Sequence, residues 1–139
     1  YRANAKTFTQ GLEGLEGKVA ELKAAHAGAG VAITEPVPLY LLEAAGLENK
    51  TPDEFSEAIE EDTDVSPLAM QETLDLFTGK QVAALVYNAQ TAGPATEQVL
   101  KAAQAGDIPV VPVTETLPDE KDYLSWMADN ISAIAAALN

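Results

Sequence analysis

The chain has 139 residues, of which 47% are hydrophobic, so it is long and apolar enough to form one domain with a packed core. Eight Lys and Arg residues against 22 Asp and Glu give a formal net charge of −14, which argues against a nucleic-acid-binding surface and against adsorption to an anionic membrane. The sequence contains no cysteine, which excludes a disulfide, a thiolate metal site and a cysteine nucleophile.

The first predicted element is an amphipathic helix within residues 1–26. Its apolar residues recur at spacings of four and three, which places one stripe on a helix: Phe8, Leu12, Leu15, Val19 and Leu22. Gly11, Gly14 and Gly17 weaken this helix by roughly 1 kcal/mol each relative to Ala, so it needs a packing partner. His26, the only histidine, is interpreted as a structural residue at the helix C-terminus.

Strands and helices alternate through the rest of the chain. Short apolar runs predict buried strands over residues 31–34, 81–87 and 108–114. Prolines predict helix starts between them, and Thr51 to Glu54 are read as a capping box that opens one of these helices. This alternation predicts right-handed crossovers, and therefore a three-layer α/β/α fold with a mostly parallel sheet.

Two glutamates directly follow predicted strands. Glu35 comes after residues 31–34, and Glu115 comes after residues 110–114. Because ligands bind beyond the carboxyl ends of parallel strands, we expect both carboxylates to face one crevice, where they would suit a cation. The alternative is that each glutamate only caps the helix that follows it.

Asn88 and Gln90 lie beyond the middle predicted strand, in the same crevice. Their side-chain amides are suited to hydrogen-bonding a metal-binding carboxylate or a bound water, and so to orienting it. Ordinary turn chemistry explains them equally well.

Other patterns exclude common sites. The acidic run from Glu57 to Asp64 lacks the glycine of a calcium loop and is interpreted as a solvated helix end. The sequence has no dinucleotide fingerprint, phosphate loop or serine nucleophile elbow. Tyr123 and Trp126 lie on an apolar helical stripe and are predicted to be core residues.

The segment Thr34 to Leu47, TEPVPLYLLEAAGL, resembles the motif that opens the second lobe of zinc- and manganese-binding solute-binding proteins of ABC transporters (cluster A-I). In that family a His or Glu follows the first strand of the lobe, and an aromatic residue and Gly-Leu come after it. Residues 82–90 are similar to the family's next strand and loop, and residues 123–138 to its terminal helix. Residues 108–117 are similar to the strand that ends in an acidic ligand, usually Asp, where this chain has Glu115.

The resemblance implies half of a two-lobed protein. Residues 1–26 would be the end of the long helix that joins the lobes, and residues 27–139 the C-terminal α/β metal-binding lobe. A first lobe, expected upstream, would supply two histidines. Glu35 and Glu115 would complete a Zn²⁺ or Mn²⁺ site, with Asn88 and Gln90 behind them, and binding by this lobe alone would be weak or absent.

The resemblance also implies an extracytoplasmic protein, lipid-anchored through its N-terminus, that is not an enzyme. It would capture the metal ion and deliver it to the membrane permease of an ABC transporter. Two other classes stay open from the residues alone. One is an enzyme domain that uses Glu35 and Glu115 as an acid/base pair, and the other is a flavodoxin-like interaction or signalling domain.

Overall fold

The structure is a computed structural model that describes residues 2–36, 39–114, 119 and 122–139. Its helices are α1 Arg2–His26, α2 Leu39–Ala44, α3 Asp53–Glu60, α4 Pro67–Thr78, α5 Pro94–Ala105 and α6 Tyr123–Leu138. Its strands are β1 Gly30–Ile33, β2 Glu48–Asn49, β3 Ala84–Asn88 and β4 Val110–Val113. No described helix combines the length and the apolar character that crossing a membrane requires.

The four strands form one sheet in the order β2-β1-β3-β4, and every neighbouring pair is parallel. This confirms the predicted parallel α/β sheet. Ile33 pairs with Val86, and Asn88 pairs with Val113, so β1, β3 and β4 end at the same edge of the sheet. Strand β2 was not predicted, because two residues are too few to produce an apolar run or an alternating pattern.

Helices cover both faces of the sheet, which confirms the predicted three layers. Helices α1, α2 and α6 pack on one face through a core that includes Leu22, Leu42 and Ile134. Helices α3, α4 and α5 pack on the other face, around Phe55 and Phe77. The near-continuous apolar runs of β1 and β3 reflect this burial on both faces.

Helix α1 is buried only towards its C-terminal end. Leu22 is buried, and Leu15 and Val19 are half-buried against the same core. Residues 3–10 are exposed, and Phe8 retains 46% of its accessible surface. Phe8, at the N-terminal end of the predicted apolar stripe, is therefore exposed, whereas the C-terminal part of the stripe packs on the core.

The prediction of a capping box at Thr51, at the start of α3, was wrong. Pro52 occupies the N-cap position of α3, and no side chain caps the helix there. The Thr51 hydroxyl instead hydrogen-bonds to Ile33 in the neighbouring strand. Helix α4, in contrast, begins at a proline as predicted, and the hydroxyl of Ser66 at its N-cap accepts a hydrogen bond from the backbone N–H of Ala69.

Candidate metal site

Glu35 lies two residues beyond the end of β1, at the edge where three strands end. Its side chain is buried, with only 6% of its surface exposed. The Nδ2 of Asn88 donates a hydrogen bond of 2.9 Å to Oε2 of Glu35. Among the described residues, no hydrogen bond to Oε1 is found. A buried carboxylate that is held by a neutral donor keeps its capacity to bind a cation.

Asn88 is the last residue of β3 and is fixed on several sides. Its backbone N–H donates to the hydroxyl of Thr34 at 3.1 Å, and its Oδ1 accepts from the backbone N–H of Gln90 at 2.9 Å. Because the amide oxygen is engaged by an N–H donor, the amide nitrogen must be the atom that faces Glu35. The side chain also lies 3.4 Å from the Thr91 hydroxyl through Nδ2.

The prediction that Asn88 begins the loop after the strand was wrong, because Asn88 is the last residue of β3. Its side chain contacts Glu35, while Gln90 contributes a backbone N–H to the same network. The supporting hydroxyls of Thr34 and Thr91 were not identified from the sequence. Threonine is common in strands and turns, so nothing in its spacing marked these two residues.

A crevice of about 370 Å³ opens beside Glu35. Besides Glu35, it is lined by residues from the end of α3 and from the loop after β3: Ile59, Glu60, Asp62, Gln90, Thr91 and Ala92. Glu60 and Asp62 are exposed, as the interpretation of the acidic run requires, yet they border the same crevice as Glu35. The sequence did not indicate that Glu60 and Asp62 lie beside this crevice, because their place depends on how α3 packs against parts of the chain that are distant in sequence.

Glu115 lies outside the described residues, so its prediction as a second ligand stays a prediction. The residue before it, Thr114, is tied to α6, since Nε1 of Trp126 donates to its hydroxyl at 2.8 Å. Helix α6 is capped by Asp122, whose carboxylate accepts a hydrogen bond from the backbone N–H of Ser125. This hydrogen bond lowers the pKa of the Asp122 carboxyl.

The described residues do not form a complete metal site. No three His, Cys, Asp or Glu side chains of the described ranges lie close enough together to hold an ion. His26 is at the far end of α1, where its Nε2 lies 3.1 Å from Oδ1 of Asn139. The donors that the crevice presents are oxygen atoms, which suit a divalent cation but fall short of the usual four ligands of a zinc site.

An α/β lobe with an all-parallel sheet and a buried carboxylate beside a crevice at its strand ends has the architecture of a ligand-binding lobe. The chain matches the model of the ZnuA family, described as zinc-uptake complex component A, periplasmic, over residues 1–137. The chain belongs to this family. The predicted family is thereby confirmed, and its description is that of an uptake component instead of an enzyme.

Solved structures with the same fold include three of bacterial metal-binding or adhesin proteins. A mutant of the laminin-binding adhesin Lmb from Streptococcus agalactiae has a TM-score of 0.74 and 17% identity over 97% of this chain and 50% of that one. A Zn(II)-bound mutant variant of AdcAII from Streptococcus pneumoniae has a TM-score of 0.68 and 17% identity, over 100% of this chain and 51% of that one. The solute-binding protein FpvC from Pseudomonas aeruginosa, in complex with Mn²⁺, has a TM-score of 0.65 and 17% identity, over 98% of this chain and 50% of that one.

At this identity the likeness establishes the fold. The chain spans about half the length of each of these structures. No curated protein matches the chain.

Proposed function

We propose that this chain is the C-terminal lobe of a two-lobed solute-binding protein that captures a divalent transition metal, Zn²⁺ or Mn²⁺, for an ABC transporter. The observation that carries the proposal is the buried carboxylate of Glu35, held by Asn88 beside an open crevice in a chain of the zinc-uptake family. The intact protein would act outside the cytoplasm, anchored by a lipid at its N-terminus, and would deliver the ion to the membrane permease.

The proposed ligands from this lobe are Glu35 and Glu115. Strands β1 and β4 end at the same edge of the sheet, which supports a shared site for the residues that follow them. Two histidines from the other lobe would complete the coordination. Mixed imidazole and carboxylate ligation admits both Zn²⁺ and Mn²⁺, so the metal stays open between the two.

The roles of the supporting residues follow from the hydrogen bonds. Asn88 would orient the Glu35 carboxylate by holding Oε2, which leaves Oε1 for the ion. Gln90 would in turn hold the Asn88 amide through its backbone N–H. The cycle consists of coordination and release of the ion, so no bond-making chemistry is required. The enzyme and signalling alternatives have no comparable support, because the family is one of uptake components.

Residues 1–26 are proposed as the end of the helix that joins the lobes, and residues 27–139 as the lobe itself. The exposure of residues 3–10, including Phe8, supports this division, because an exposed apolar residue on a helix is suited to packing on a further part of the protein.

Calorimetric titration of this chain with Zn²⁺ tests the proposal. We expect measurable but weak binding, with a Kd above about 1 μM, because the lobe has no imidazole at the site and fewer than the usual four ligands. Glu35→Gln should abolish it. Glu72→Gln, which removes one exposed carboxylate from α4, should leave it unchanged. Equal binding by both variants would contradict the assignment of Glu35.

A further inference from the structure

The edge of the sheet next to Glu35 is incomplete. Strand β2 pairs only with Gly30 and Val31 of β1, and its ladder ends where the Lys50 N–H donates to the Val31 carbonyl. The next backbone groups of β1 that point to this side are those of Ile33. Ile33 is fully buried, so its N–H and C=O cannot be satisfied by solvent.

The Thr51 hydroxyl forms the hydrogen bonds to Ile33 that a longer β2 would otherwise form through its backbone. It accepts a hydrogen bond of 2.8 Å from the Ile33 N–H and donates one of 3.4 Å to the Ile33 carbonyl. Thr51 is itself buried, and its backbone N–H is held by Oδ1 of Asn49 at 3.0 Å. One side chain therefore fixes the last residue of β1, two positions before Glu35.

Two sets of hydrogen bonds thus hold the segment that carries Glu35. On the β3 side, Thr34 and Glu35 are bonded to Asn88. On the β2 side, the only side-chain hydrogen bonds to Ile33 among the described residues come from Thr51. The end of β1 determines where the Glu35 carboxylate lies. A shift of Ile33 on the β2 side would therefore move that carboxylate away from Asn88.

We infer that Thr51 is a positioning residue for Glu35, acting through the backbone of Ile33. This inference rests on the proposed function only where it concerns the metal ion. The position of Glu35 against Asn88 is a property of the lobe itself, so it can be measured without metal.

Three variants of this chain separate positioning from general stability. Thr51→Val removes the hydroxyl at nearly constant shape, and Thr51→Ser retains it. Thr73→Val is the matched control, because Thr73 is also buried and its hydroxyl donates to the Ala69 carbonyl of its own helix. All three are compared at a temperature at which circular dichroism reports the folded state.

The first measurement is the NMR signal of the Asn88 side-chain amide in the absence of metal. In Thr51→Val it should move towards the position of a free asparagine amide, whereas Thr51→Ser and Thr73→Val should keep the wild-type signal. An unchanged signal in Thr51→Val overturns the inference.

The second measurement is the Kd for Zn²⁺, taken from chemical-shift titration of the same samples. Thr51→Val should raise the Kd roughly tenfold, the lower end of the effect of losing a residue behind a metal ligand. Thr51→Ser and Thr73→Val should bind as the wild type does, and equal binding by Thr51→Val overturns the inference. If the wild-type lobe does not bind Zn²⁺ by itself, the expectation of weak binding by this lobe fails, and the Asn88 signal still decides the positioning role.

Asn49→Ala is the second variant if Thr51→Val does not fold. It removes the acceptor of the Thr51 N–H but keeps the hydroxyl, so it should shift the Asn88 signal in the same direction by less. A wild-type Asn88 signal in Asn49→Ala, with Thr51→Val unfolded, overturns the inference.

Discussion

The contact between Asn88 and Glu35 combines a neutral donor with a buried carboxylate. A lysine or arginine at position 88 would neutralise the carboxylate and compete with any cation, whereas an amide stabilises it without adding charge. The amide is itself fixed, because its oxygen accepts from the Gln90 N–H. This pairing favours a site that binds a cation over a purely structural ion pair.

Replacing the Asn88 amide by a carboxylate should destabilise the Glu35 carboxylate instead of stabilising it. In Asn88→Asp, Oδ1 can still accept from Gln90, but the other oxygen faces Oε2 of Glu35 and no longer donates. We expect the free energy of unfolding at pH 7 to fall by about 2 kcal/mol or more, because a buried hydrogen bond becomes a like-charge contact.

Chemical unfolding at pH 7 measures this loss of stability. Asn49→Asp is the control, because it adds the same charge but keeps the oxygen that accepts from the Thr51 N–H. It should change the stability by less than about 0.5 kcal/mol. Equal losses in the two variants would contradict the assigned hydrogen bonds.

At the scale of elements, α1 contacts the rest of the lobe from about Gly11 to its C-terminal end. Its glycines are not equivalent: a Cβ at Gly11 would meet Cδ1 of Leu124 on α6, whereas a Cβ at Gly14 would meet nothing within 4 Å. Gly11 thus permits the close approach of α1 and α6. Gly14 lies on the open side of the helix, where it only lowers helix propensity.

Alanine substitution at these two positions should therefore give different results. Gly14→Ala should stabilise the chain by roughly 0.5–1 kcal/mol, the propensity difference between Gly and Ala in a helix. Gly11→Ala should gain about 1 kcal/mol less, since Leu124 must change its rotamer to make room. Thermal unfolding of both variants checks this order, and an equal gain would mean that α1 and α6 do not approach closely at Gly11.

Hydrogen exchange tests how α1 is divided. Amides near Val19 and Leu22 should be protected, because those residues pack on the core, and amides near Ala3 should exchange freely, because residues 3–10 have no covering element among those described. Uniformly fast exchange from residue 3 to residue 26 would show that α1 does not pack as a helix on this lobe.

At the scale of the whole molecule, the fold could be predicted because its signals are local. The apolar runs of β1, β3 and β4, and the prolines at the starts of α4 and α5, reveal a βα alternation, and alternation leaves few topologies. Strand β2 could not be predicted, because it exists only through its pairing with β1. The role of Thr51 was mistaken for the same reason, since its sequence context matches a helix cap while its partner is 18 residues away.

The site was predictable in part. The position of Glu35 after a strand, and of Asn88 after its neighbour, predicted that the two would meet at one edge, and their side chains are hydrogen-bonded there. Their roles in metal binding, like those of Gln90 and Glu115, stay predictions. The approach of Glu60 and Asp62 to the crevice depends on how α3 packs, which no local pattern encodes.

The central claim is that this lobe binds a divalent cation at Glu35, and NMR of the labelled chain with a small amount of Mn²⁺ tests it most directly. The unpaired electrons of Mn²⁺ broaden the signals of nearby nuclei, so even weak binding reports its own location. We predict selective broadening at Glu35, Asn88 and Gln90, its loss in Glu35→Gln, and its persistence in Glu72→Gln. Broadening that is centred elsewhere on the acidic surface, or that survives Glu35→Gln unchanged, would contradict the account.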